Sequence, residues 1–195
     1  MSTPLQLDPA RTALVVIDLQ RGIVAGNTVP HAAADVVARS ARLAAEFRKH
    51  GALVVLVNVD PGPDGSLMPR PIADQPRPLT GITREWIELI PALGAQASDT
   101  RVTKHQPNAF YNTPLDNLLK ARGVTTIVLT GISTNVGVEA TARAAHERRY
   151  DTVFVEDAMA ARDEELHRVS TTKFFPTIGR VRSTDEVMVA FPTSA

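Results

Sequence analysis

Three places in this chain put chemically competent residues at the ends of apolar runs. Asp18 closes the run Thr12 to Ile17 (TALVVI). Lys104 closes the weaker run Arg101–Thr103. The segment Ser133-Thr134-Asn135-Val136-Gly137 follows the run Thr125 to Thr130 (TTIVLT) and opens a helical stretch. A carboxylate gives or takes a proton, an ammonium steadies negative charge, and a helix N-terminus presents N–H donors. In open α/β sheets ligands bind beyond the carboxyl ends of the strands, so the three groups can share one pocket. The chain has no cysteine, which excludes disulfides, thiolate metal sites and a thiol nucleophile. Each residue also has a plainer role. An Asp after a strand serves as a loop or cap residue, and a Lys at a strand end is commonly solvated. Gly137 lets a helix approach a sheet, with Ala140, Ala144 and Ala145 on nearby positions.

These residues need a sheet to hold them. Ala52 to Val59 and Thr152 to Val155 add two more apolar runs, and Arg180 to Ser183 is a further strand candidate. Continuous runs without polar alternation indicate strands covered on both faces. Helical stretches fall between them. His31 to His50 carries Val36, Val37, Leu43, Ala44 and Phe47 as a stripe. Leu115 to Arg122 ends at Gly123, and Asn135 to Arg149 is alanine-rich. Asp163 to Phe174 opens with acids. The alternation predicts a three-layer α/β/α domain over 1–195, with a doubly wound, mostly parallel, six-stranded sheet. Asp60 to Pro78, rich in proline and glycine, interrupts it as a long irregular excursion of the kind that is functional or mobile.

Lys plus Arg and Asp plus Glu are both 21, so the net charge is zero. That leaves no electrostatic footprint for nucleic acid or an anionic membrane. No apolar run approaches the ~20 residues that span a bilayer. The N-terminus lacks the basic and apolar regions of a signal peptide. A cytoplasmic location is expected.

The segments Thr12 to Gln20, Val102-Thr103-Lys104 with Asn108 to Leu115, Gly131 to Ala142 and Val155 to Ala158 occur in an order that resembles the isochorismatase-like cysteine hydrolases. The resemblance covers nearly the whole chain. It puts the family's acid/base role on Asp18, its lysine on Lys104 and its nucleophile position on Gly137, where most of the family has cysteine. It implies a non-proline cis peptide at Ile132–Ser133, with the N–H groups of Ser133 and Gly137 as an oxyanion hole. Thr134, Asn135, Gln20 and Phe110 would surround the substrate. It also implies a homodimer or higher homo-oligomer.

Two departures refine the expectation. Many amidase members, such as nicotinamidases, bind a metal after the second strand through an Asp and histidines, yet Asp60 to Pro78 contains no His. No cofactor and no catalytic metal are expected, and His105 reads as a surface or hydrogen-bonded residue. Gly137 excludes an acyl-enzyme, which matches true isochorismatases. Those hydrolyse a vinyl ether through water, but the tyrosines they use correspond here to Pro107 and Ser133. Arg70, Arg77 and Arg84 are candidates to bind a carboxylate, and Trp86 and Phe110 to wall the pocket. The expected function is hydrolysis of a small molecule without a covalent intermediate. A Cys-to-Gly amidase variant and a noncatalytic binding homologue are the alternatives.

Overall fold

Apolar runs with no polar alternation must be covered on both faces, and the computed structural model, which describes residues 4–75 and 81–192, shows how. The strands are β1 (Thr12–Ile17), β2 (Leu53–Val59), β3 (Thr100–Lys104), β4 (Thr126–Ile132), β5 (Asp151–Ala160) and β6 (Arg180–Arg182). They form one six-stranded sheet ordered β3-β2-β1-β4-β5-β6. Every pairing of these strands is parallel. The sheet therefore matches the expected doubly wound fold. Its order reverses between β1 and β4, the switch point where such sheets bind ligands.

The helices are α1 (Arg21–Val24), α2 (Ala33–Lys49), α3 (Leu115–Ala121), α4 (Glu139–Glu147), α5 (Glu164–Val169), α6 (Phe175–Ile178) and α7 (Thr184–Met188). Successive β1 side chains point to opposite faces. Leu14 and Val16 join one core with Val36, Leu43 and Phe47 of α2. Ala13, Val15 and Ile17 join the other with Leu115 and Leu119 of α3 and Ala142 and Ala145 of α4.

Between β2 and β3 the chain forms no strand among its described residues. Short 3-10 turns at Pro63–Gly65, Glu85–Ile87 and Pro91–Leu93 are its regular pieces. The Asp60 carboxylate accepts from Gly62 N–H at 2.8 Å, which starts this excursion. Pro76, Arg77 and Pro78 lie outside the described residues.

Candidate active site

Asp18 extends β1 by one ladder bond, its N–H donating to the Val57 carbonyl at 2.9 Å. Its φ of 54° then turns the chain out of the sheet. Asp adopts this left-handed region more readily than most residues, at a cost of about 1–3 kcal/mol. Beside it lies Gly131, the penultimate residue of β4, with φ 120°. A Cβ on Gly131 would lie 2.0 Å from the Ile17 carbonyl oxygen. Only glycine lets the two strand ends meet backbone to backbone, immediately before Asp18.

The Ile132–Ser133 peptide is cis, where the family resemblance predicts it. A π-helical turn, Thr134–Val138, follows and leads into α4. The Ser133 carbonyl accepts from the N–H groups of Val136 and Val138 at 3.1 and 3.2 Å. Such turns recur at functional sites. One turn further on, Thr141 donates to the Gly137 carbonyl at 2.7 Å and accepts from Ala109 N–H at 3.0 Å. It thereby ties the segment after Lys104 to the turn.

Lys104 ends β3, two strands from β1, and its side chain reaches across to Asp18. Nζ donates to Asp18 Oδ2 at 2.8 Å, and the two side chains are 1% and 7% exposed. Gly137 completes the group: a Cβ there would lie 3.0 Å from Asp18 Oδ2 and 3.6 Å from Lys104 Nζ. Three segments far apart in the chain therefore converge at the switch point. Burial pushes the Asp18 carboxyl above the usual carboxylate range, against the opposing charge and hydrogen bond of Lys104. Among the described residues, Asp18 Oδ1 is buried with no hydrogen-bond partner.

Other expected site residues have different work. Gln20 is buried, and its amide accepts from Val59 N–H at 2.8 Å and donates to the Val59 carbonyl at 3.0 Å. It also reaches the Trp86 carbonyl at 3.3 Å. Gln20 thus joins backbone segments of β2 and the Trp86 turn. Thr134 is buried with its hydroxyl 2.8 Å from His167 Nδ1. Phe110 is a core residue, stacked on Tyr150 at 5.8 Å, with the Arg148 guanidinium 5.0 Å from its ring centroid. Ser133 and Asn135 are half-buried in the turn. His105 donates from Nδ1 to the Asp60 carbonyl at 2.7 Å. Arg70 is exposed and donates to the Asp64 carbonyl at 2.7 Å. Arg84 is exposed, and Arg77 lies outside the described residues. Trp86 packs where a Gly22 Cβ would stand.

Sequence reasoning missed Gly131 and a polar cluster on β5. Glu156 meets His31 and His167 there. Its carboxyl is held down to about 2 by the hydrogen bond from His167, assisted by His31 and opposed by burial.

The parallel α/β sheet and the buried Asp18–Lys104 pair at its switch point agree with the family that the sequence resembles. The Isochorismatase domain family matches residues 12–186, and the chain belongs to that family. It is a hydrolase of the isochorismatase-like superfamily. The isochorismatase family protein YecD of Escherichia coli O157:H7 is 45% identical over 95% of this chain and 99% of its own length. The solved structure of an isochorismatase family protein from Burkholderia thailandensis is 42% identical, with a TM-score of 0.92 over 96% of this chain and 98% of that one. The ureidoacrylate amidohydrolase RutB of Methylobacterium radiotolerans is 36% identical over 86% of this chain and 74% of its own length. No helix among the described residues is long and apolar enough to cross a membrane.

Proposed function

We propose that this hydrolase cleaves a small enol-ether or related carbonyl-forming substrate by direct addition of water, with no covalent enzyme intermediate and no catalytic metal. The observation that carries the reading is Asp18 Oδ1, a buried carboxyl oxygen left without a partner beside Lys104 and Gly137. A carboxyl raised by burial can hold a proton for donation near neutral pH. In this reading Asp18 transfers that proton to the enol-ether carbon and becomes a carboxylate paired with Lys104. Water then adds to the oxocarbenium carbon and returns one proton to Asp18. The resulting hemiketal breaks its C–O bond to release a carbonyl compound and an alcohol. Ser133 and Gly137 offer N–H groups to the substrate's oxygens. Gly137 leaves room for water or substrate where a side chain would crowd Asp18.

The test is turnover of an enol-ether panel in deuterium oxide. Deuterium should appear on the protonated carbon, and Asp18→Asn should slow turnover by about 10²–10⁴-fold. Full activity in that variant sinks the reading. A second reading, an amidase without its thiol, draws on the same Cβ direction at Gly137, which points between Asp18 and Lys104. If the protein turns over no enol ether while Gly137→Cys gains amide hydrolysis, the second reading replaces the first.

A further inference from the structure

Away from the Asp18–Lys104 pair, three potential ligands from separate parts of the chain meet at the edge of β5. His31 comes from the loop before α2, Glu156 from β5 and His167 from α5. His31 Nε2 lies 3.1 Å and His167 Nε2 3.0 Å from the same Glu156 oxygen, Oε1. The three donor atoms all lie within 4.8 Å of one another. The imidazole planes stand at 81° with centroids 5.9 Å apart, so the rings converge on the carboxylate rather than stack.

We propose that His31, Glu156 and His167 form a binding site for a divalent transition metal, best suited to Zn²⁺. Two imidazole nitrogens and one carboxylate oxygen are a zinc donor set, whereas Mg²⁺ and Ca²⁺ favour oxygen donors throughout. Metal–ligand bonds of about 2.0–2.2 Å put neighbouring tetrahedral donors about 3.3 Å apart. The present separations of 3.0 and 3.1 Å need to open only slightly. The remaining nitrogen of His167, Nδ1, is 2.8 Å from Thr134 Oγ1. With metal on Nε2, that nitrogen donates to the hydroxyl, as the outer partners of metal-bound histidines do. His167 is nearly buried, while His31 and Glu156 are partly exposed and admit an ion from solvent. Glu156 and His167 also line a cavity of about 260 Å³, which leaves space for water at the fourth position. The region after β2, where the family's amidases hold a metal, is elsewhere. A bound ion here acts as a clip: it joins the loop, the strand and α5 to Thr134, a residue of the turn that carries Gly137.

The experiment uses untagged full-length protein, stripped with a chelator and titrated with zinc by calorimetry, with metal content and melting temperature read in parallel. One zinc per chain and a raised melting temperature are expected. His31→Ala and Glu156→Gln, both at partly exposed positions, should each weaken affinity by about tenfold or more. Circular dichroism of the metal-free variants checks that their fold is intact. Cobalt substitution should give the visible absorption of a four-coordinate ion, lost in His31→Ala. Absence of binding at micromolar zinc overturns the proposal. So does zinc binding that neither substitution weakens, since that places the ion on other histidines such as His50, His105 or His146.

Discussion

Replacing Lys104 with methionine would strand Asp18 in the interior with neither carboxyl oxygen paired. Oδ2 loses its 2.8 Å partner, and Oδ1 already has none among the described residues. Removing one member of a buried pair costs about 3–5 kcal/mol, because the charge left behind is neither solvated nor compensated. Asp18 has an escape, which is to bind a proton. Burial already raises its carboxyl, and Lys104 supplies both effects that pull it back down. Without Lys104 the folded-state value rises further. A carboxyl raised on folding contributes stability below its unfolded value, about 4. That contribution is lost as pH climbs through the folded value. The deficit of Lys104→Met should therefore be greatest above the variant's folded value, shrink as pH falls from there to the lower wild-type folded value, and stay flat below it. In the intervening window one extra bound proton changes stability by about 1.4 kcal/mol per pH unit. A residue of about 1 kcal/mol should persist at low pH, since methionine is one heavy atom shorter than lysine. Urea unfolding at a series of pH values measures this. A deficit that is flat with pH, or below about 1 kcal/mol at pH 7, refutes the description of a burial-dominated carboxyl held by Lys104. The double variant Asp18→Asn/Lys104→Met carries no charge at either position. It should regain stability over the single variant at pH 7, and shared loss of turnover would separate the pair's stability from its chemistry.

Gly131→Ala places a methyl 2.0 Å from the Ile17 carbonyl at a φ of 120°. It should cost at least about 3 kcal/mol in thermal or urea unfolding, and near-native stability would show that β4 can back away from β1. Gly137→Ala meets Asp18 Oδ2 at 3.0 Å and should cost only about 1 kcal/mol of stability. The same methyl should lower kcat/KM by about tenfold or more, and undiminished turnover would remove Gly137 from the reaction space. In solution the chain should assemble as a homodimer or larger, and light scattering after gel filtration would reject this with the mass of one chain.

Much of this arrangement was legible because continuous apolar runs have one physical solution. β1 is predicted to the residue, and β2, β3, β4 and β6 to within two at each end. β5 is longer than its apolar run because Glu156 and Asp157 continue the strand. Their charges find partners that are remote in sequence: His31 and His167 for Glu156, and Arg39 and the Thr184 N–H for Asp157. No local pattern announces such pairings. α7 escaped notice although its signal is local, since Ser183 and Glu186 form a capping box before Val187 and Met188. The strand ends and the following turn already imply that Asp18, Lys104 and Gly137 share one pocket, and the structure brings them together. Gln20, Thr134 and Phe110 are expected around the substrate from the family resemblance. Their side chains turn instead to backbone, to His167 and to the core.

The two glycines at the end of β4 show why residue type alone under-determines the site. Gly131 is required by the backbone, since φ and the Ile17 carbonyl both forbid a side chain there. Gly137 is under no such constraint from its own conformation; what a side chain would meet is Asp18, Ile17 and Lys104. The first glycine therefore sets where Asp18 stands, and the second sets what may approach it. A thiol at the second position would occupy the space beside the acid, and its absence leaves that space to the substrate or to water. In the proposed reaction Asp18 gives up a proton and then pairs as a carboxylate with Lys104, in the space that Gly137 leaves beside it. That mechanism requires the two glycines to be tested apart: one by stability, the other by turnover.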